Sequence, residues 1–272
     1  MNQKLNIIES SWNEKAEKLK SSHPLKTLHT LPKMEGITPD TKKNLKAKGL
    51  YYLLKHDTNK IFLRHFFKHP VRYGLSLLKS YLKTSSFRRD GDFFFYGLSN
   101  EEKFKKIATS QNPLVLIGFS YCHKPFECPS GRFSDKCQNT PDHPVCNQCF
   151  IGKCTTLAAQ TQAQILYIPT IHYIGEKIFE ATHQNPKRQV LFLITACELS
   201  LTMFGDWGNM IGAQGIGIRL DGRICNTMRA FALSEEGIKP GLTVVLKPSE
   251  EKIIDLIKSL PLVDKDASCE KA

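Results

Sequence analysis

The chain has 272 residues, 41% hydrophobic and 24% charged, enough for one large domain or a domain with an appendage. Its formal charge of +12 lies in one third: residues 1–90 carry 19 Lys and Arg against 7 Asp and Glu, and residues 91–272 carry 19 of each. No apolar h-region opens the chain and no run of 18 apolar residues occurs, so neither a secretory signal nor a spanning helix is expected, and a reducing, cytoplasmic setting is.

Residues 1–38 are polar and carry Pro24, Pro32 and Gly36, which predicts a short helix or disorder, weakly attached. Thr38-Pro39-Asp40 opens a helix, capped by Thr38 or Asp40, with Leu45, Leu50, Tyr51 and Leu54 at rough helical spacing. Residues 58–84, TNKIFLRHFFKHPVRYGLSLLKSYLKT, form a basic amphipathic pattern, kinked or broken near Pro70. Such a segment either lies on anionic lipid or an acidic partner, or packs its apolar face on the same chain, which is the commoner fate. No base-reading motif accompanies the charge, so nucleic acid is not an expected partner.

From residue 91 the pattern changes. Apolar runs at 113–120, 163–170, 189–196, 215–220 and 242–247 read as strands buried on both faces, and helical segments near 99–109, 151–162, 173–185, 198–205 and 249–260 lie around them. This alternation predicts an α/β domain over 91–262, doubly wound with a mostly parallel sheet. Residues 1–90 form a basic helical region before it and 263–272 a polar tail. A cysteine-rich insertion follows the first of the five runs.

That insertion, Cys122 to Cys154, holds six of the nine cysteines and almost no apolar periodicity. Metal ions, iron–sulfur clusters or disulfides are the candidates to order it; in a reducing compartment clustered thiols are more often ligands or catalytic groups. Cys146-x2-Cys149 is a common chelate, because two thiolates in a tight turn converge on one ion. Cys128-Pro129 resembles the close of some ferredoxin motifs. The irregular spacing favours iron–sulfur, in the 4Fe–4S form, over zinc, which usually takes two C-x2-C pairs. A zinc ribbon that only pins the loop is the alternative. Cys197 and Cys225 follow two later strands and are expected at the same carboxyl edge, where open α/β sheets build ligand sites. The expected ligands are Cys122, Cys128, Cys146 and Cys149. Cys137, Cys154, Cys197 and Cys225 complete that centre or a second one.

These elements in order, Gly118-Phe-Ser-Tyr-Cys122-His123, Cys128-Pro129, Cys146-x2-Cys149-x-Ile151-Gly152, Thr195-Ala196-Cys197-Glu198-Leu199 and Gln214-Gly215 through Asp221-Gly222-x2-Cys225-Asn226-Thr227, resemble an uncharacterised prokaryotic family. It is catalogued as domain of unknown function one hundred and sixteen, and the resemblance covers about residues 113–235. It implies about seven characteristic cysteines, a metal or cluster role without an assigned reaction, and, from the gene organisation of some members, sulfur or cofactor metabolism. Electron-transfer or cofactor-metabolism proteins are the partners it suggests. The family pattern places a third cysteine three residues before the C-x2-C pair. This chain has His143 there, which leaves His143, Cys137 or Cys154 to substitute.

Other residues of the region read two ways. Cys197 is a nucleophile candidate and Glu198 a general base, or Glu198 favours a helix N-terminus. Asn226 and Thr227 cap a helix or donate to a ligand or sulfur atom.

Overall fold

Four of the five apolar runs form the parallel part of one six-stranded sheet. The computed structural model describes residues 3–26, 36–82, 86–110, 112–222 and 224–263. The N-terminal third contributes α1 (Gln3–Ser22), α2 (Pro39–Lys42), α3 (Leu45–Lys55), α4 (Ile61–Phe66) and α5 (Pro70–Leu82), followed by β1 (Arg88–Asp90) and β2 (Phe93–Tyr96). Next come α6 (Glu101–Ser110), β3 (Leu114–Ser120), α7 (Phe150–Ala158), β4 (Gln164–Ile168), α8 (Ile171–Gln184) and β5 (Val190–Ala196). The chain continues with α9 (Glu198–Met210), β6 (Gln214–Arg219), β7 (Asp221–Gly222), α10 (Met228–Glu235), β8 (Thr243–Val244) and α11 (Lys247–Lys258).

The sheet order is β1-β2-β6-β5-β3-β4. Strands β3, β4, β5 and β6 are parallel, and β2 and β1 add an antiparallel edge. Along β3, Leu114 and Leu116 enter one core with α8 and α9, while Val115, Ile117 and Phe119 enter another with α6, α7 and α11. A strand with apolar side chains on both faces needs cover on both, which is why its sequence runs apolar without alternation.

Three expectations are corrected. The run at 242–247 is not a strand of the main sheet: only Thr243–Val244 pairs, antiparallel, with β7, and Lys247 with Pro248 begins α11 because proline suits a first turn. The first expected strand is the third in the chain, since Phe93–Tyr96 lie buried at the antiparallel edge. Residues 3–22 are not a weakly attached segment. α1 seats a fully buried Leu5 in the core, and Glu9 pairs with Lys153 at 2.8 Å and with Lys258. The other landmarks agree: Thr38 caps α2 by accepting from the Thr41 N–H, and the 58–84 segment breaks so that Pro70 starts α5. Cys269 and Arg223 lie outside the described residues.

Candidate thiol sites at the carboxyl edge of the sheet

The chain leaves β3 toward β4 on one side and β5 toward β6 on the other, so the two connections diverge above the neighbouring strands β3 and β5. Such a divergence opens a crevice at the carboxyl ends. Cys122 stands just past β3, Cys197 just past β5, and Cys225 follows β6 and β7. All three thiols are buried. A cavity of about 40 Å³ sits among Cys122, Thr170, Cys197, Ser200, Ser234 and Glu235.

Cys197 shares a hydrogen bond with Ser200 at 3.1 Å, and the Lys239 ammonium donates to the Cys225 sulfur at 3.3 Å. A hydrogen bond from Cys197 outweighs burial and, with Lys239, brings the Cys225 thiol down to about 5. The Cys197 thiol is pushed well up, because it donates that bond and is buried. The two thiols titrate as a pair, with Cys225 the more acidic member. Burial also pushes up Cys122, which Lys239 opposes. Burial works against the charge of Lys239, but Cys122, Cys225 and Cys197 outweigh it and hold its pKa above the ordinary lysine range. Glu235 accepts from the Ile171 N–H at 2.8 Å, yet desolvation and nearby Cys225 raise it to about 8.

A second thiol group lies on the irregular segment between β3 and α7. Two 3-10 turns, Tyr121–His123 and Cys146–Gln148, are its only regular pieces. Cys128 and Cys137 act electrostatically on both Cys146 and Cys149, which places the four thiols in one neighbourhood. Cys149 is the N-cap of α7 without a side-chain capping hydrogen bond, and the neighbouring N–H groups of Gly152 and Ile151 oppose the rise of its pKa. Gly152 is needed there, because a Cβ at that position would stand 2.5 Å from the Cys146 carbonyl. Burial still drives Cys149 up to about 12, so a thiol so placed ionises only beside a cation. Cys137 hydrogen-bonds the Tyr167 hydroxyl.

Two cations order this segment, Lys124 buried and Arg132 half-buried. Lys124 is 1% exposed, and its ammonium donates to the carbonyls of Ser134 at 2.8 Å, Lys136 at 2.7 Å and Gly131 at 3.3 Å. Arg132 donates to the carbonyls of Lys124, Cys122, Lys239 and Gly241, tying the segment to both the crevice and the stretch before α11. Sequence reasoning assigned the ordering to metal, clusters or disulfides and missed both cations. No disulfide links the eight described cysteines. The only signal was a lysine and an arginine inside a thiol-rich loop, and nothing in the spacing shows them folding inward. Lys239, Glu235 and Ser200 were missed for the same reason.

The structure divides the expected ligands. Cys128, Cys137, Cys146 and Cys149 share one group, and Cys122, Cys197 and Cys225 another. Cys154 is fully buried in the α7 core. His143 accepts from the Val145 N–H through Nδ1 within its own turn. Glu198 is bound to Arg89 at 2.7 Å and faces Arg219, an ion-pair network that joins β1, β6 and α9. Thr227 caps α10 by accepting from the Ala230 N–H, and the Asn226 carbonyl accepts from Thr38. Among the described residues, no three His, Cys, Asp or Glu side chains converge as a ready metal-holding group. Searched against family models, curated proteins and solved structures, the chain matches none.

Proposed function

We propose that this protein is a metal or iron–sulfur protein of electron transfer or sulfur handling, with a four-thiolate centre formed by Cys128, Cys137, Cys146 and Cys149. The observation that carries this reading is Lys124. Burial depresses its ammonium, and the charges that oppose the depression are first those of Cys128, Cys137 and Cys149. A fully buried cation calls for a buried counter-charge, and a thiolate centre supplies one. The donor set fits: four thiolate formers, with the Gly152 and Ile151 N–H groups beside Cys149 favouring its thiolate. The four side chains would have to close on the ion, since binding and local ordering are coupled at such sites. When bound, a cluster would carry an electron and zinc would only hold thiolates. Lys124 and Arg132 already brace the loop, so a purely stapling zinc has less to do. The reading agrees with the family resemblance and with a doubly wound sheet whose cysteine-rich insertion lies over its carboxyl edge, in a cytoplasmic protein.

The test is protein purified without oxygen and assayed for iron, zinc and acid-labile sulfide. Stoichiometric iron and sulfide are expected, falling at least tenfold in Cys146→Ser/Cys149→Ser and unchanged in Cys197→Ser. Zinc without sulfide would replace the cluster by a zinc site. Metal-free wild-type protein would overturn both.

A second reading rests on the Lys239–Cys225 contact. It makes Cys225, rather than Cys197, the nucleophilic thiolate of a thiol enzyme, with Cys197 as proton-bearing partner. Iodoacetamide labelling followed by peptide mass mapping tests it: Cys225 should be modified ahead of Cys197, and the reverse order sinks it.

A further inference from the structure

α5 buries Tyr73 and Ser80 toward α9, where Ser80 donates to Asp206 at 2.9 Å. That face uses only part of the apolar content of the segment. Phe67, Val71, Leu75, Leu78 and Leu82 are between 54% and 76% exposed. Val71, Leu75, Leu78 and Leu82, spaced four, three and four residues apart, make one stripe along α5, a helix of 13 residues and about 20 Å, and Phe67 stands before it at the end of α4. On neighbouring α3, Tyr51 and Leu54 are exposed as well. Isolated exposed leucines need no explanation, but a contiguous ridge of large apolar side chains marks an interaction surface.

The charge along this segment of the chain is of one sign. From Thr58 to Arg89 the chain contains no Asp or Glu and eight Lys or Arg. Arg64, Lys68, Arg72 and Lys79 are exposed beside the ridge. Among the described residues, no helix is long and apolar enough to cross a membrane. An apolar ridge held parallel to the body of the protein, with cations at its flanks, matches the two layers of an anionic bilayer surface: acyl chains for the ridge, headgroups for the cations.

We propose that α5, with the end of α4 and the exposed edge of α3, is a peripheral docking face for anionic membranes. Sequence reasoning favoured packing of this apolar face on the same chain. The structure shows a helix apolar on more than one side, with Tyr73 turned inward and the Val71–Leu82 ridge turned out. The proposal is independent of the thiol sites.

The experiment uses full-length protein and sedimentation with vesicles of phosphatidylcholine alone or with phosphatidylserine. Binding is expected to the mixed vesicles at low salt, at least tenfold weaker to the neutral ones, and falling as salt rises. Leu75→Ser/Leu78→Ser should lower it at least tenfold, and Arg72→Gln/Lys79→Gln should lower it while weakening the salt dependence. These side chains face outward, so circular dichroism of each variant should match the parent. No binding to the mixed vesicles, or binding indifferent to both double variants, overturns the proposal. So does a stable dimer in analytical ultracentrifugation that Leu75→Ser/Leu78→Ser dissociates, because the ridge would then serve a second copy of this chain.

Discussion

Two lysines sit among thiols in this molecule, and the chain uses them differently. Lys124 is enclosed in the β3–α7 segment, spends its donors on three backbone carbonyls, and has its pKa lowered by burial. Lys239 is only partly buried, points its ammonium at the Cys225 sulfur, and has its pKa raised by three thiols. The first holds a loop in shape and leaves a charge to be balanced. The second faces the more acidic sulfur of the Cys197–Cys225 pair and favours its thiolate. Proximity of lysine to cysteine is therefore not one signal. Where the N–H donors go separates a structural cation from an electrostatic one.

The largest effect that would sharpen this contrast is on stability. Lys124→Met removes a buried ammonium and its hydrogen bonds to the carbonyls of Gly131, Ser134 and Lys136, and should cost about 3 kcal/mol in urea unfolding, since a hydrogen bond to a charged group contributes roughly 1.5–3 kcal/mol. Lys239→Met should cost about 1 kcal/mol or less, because its group is partly solvated. Equal losses would remove the distinction.

Next in size is a pH effect on the Lys239 side. Glu235 has a folded pKa of about 8, above the usual carboxylate value. Its proton is held by the folded state and released by the unfolded one. Stability from this group is complete below the unfolded pKa and is lost as pH rises toward 8. Glu235→Gln should therefore be more stable than the parent at neutral pH, by about 1–2 kcal/mol, with the gap closing in acid. Urea midpoints across that range check it; a constant gap would mean the carboxyl is already ionised.

The smallest effect is a titration. Thiolate absorbance in the far ultraviolet should rise by one equivalent near pH 5 in the parent, from Cys225. Lys239→Gln should move that step up by about one pH unit, because it removes the opposite charge. Lys124→Gln should leave the same step in place. A shift in the second variant and none in the first would reverse the roles of the two lysines.

Much of the architecture is legible in residue order. β3 runs apolar from Leu114 to Phe119 and β5 from Val190 to Ile194 because both faces are covered, and that pattern is visible without a structure. The placement of Cys122, Cys197 and Cys225 at strand ends follows from the same reading once the sheet is taken as parallel. The run at 242–247 misled because a short apolar stretch does not reveal whether it has a neighbour to pair with. Phe93–Tyr96 escaped notice as a four-residue strand between Gly91 and Gly97, although four consecutive aromatics bounded by glycines were a usable signal. The exposed ridge of α5 was legible as an amphipathic pattern, but not its direction. An apolar stripe looks the same in sequence whether it meets α9 or water.

By itself the sequence determined the α/β class, the parallel core strands and the concentration of thiols at their carboxyl ends, because periodicity and strand order are local properties of the chain. Only the tertiary structure decided that the thiols fall into two groups, each with its own lysine, that Glu198 belongs to an ion-pair network with Arg89 and Arg219, and that Cys154 is packing. Those outcomes depend on which side chains from distant segments share a low-dielectric space. There hydrogen bonds and charges from several segments together set how acidic each thiol is.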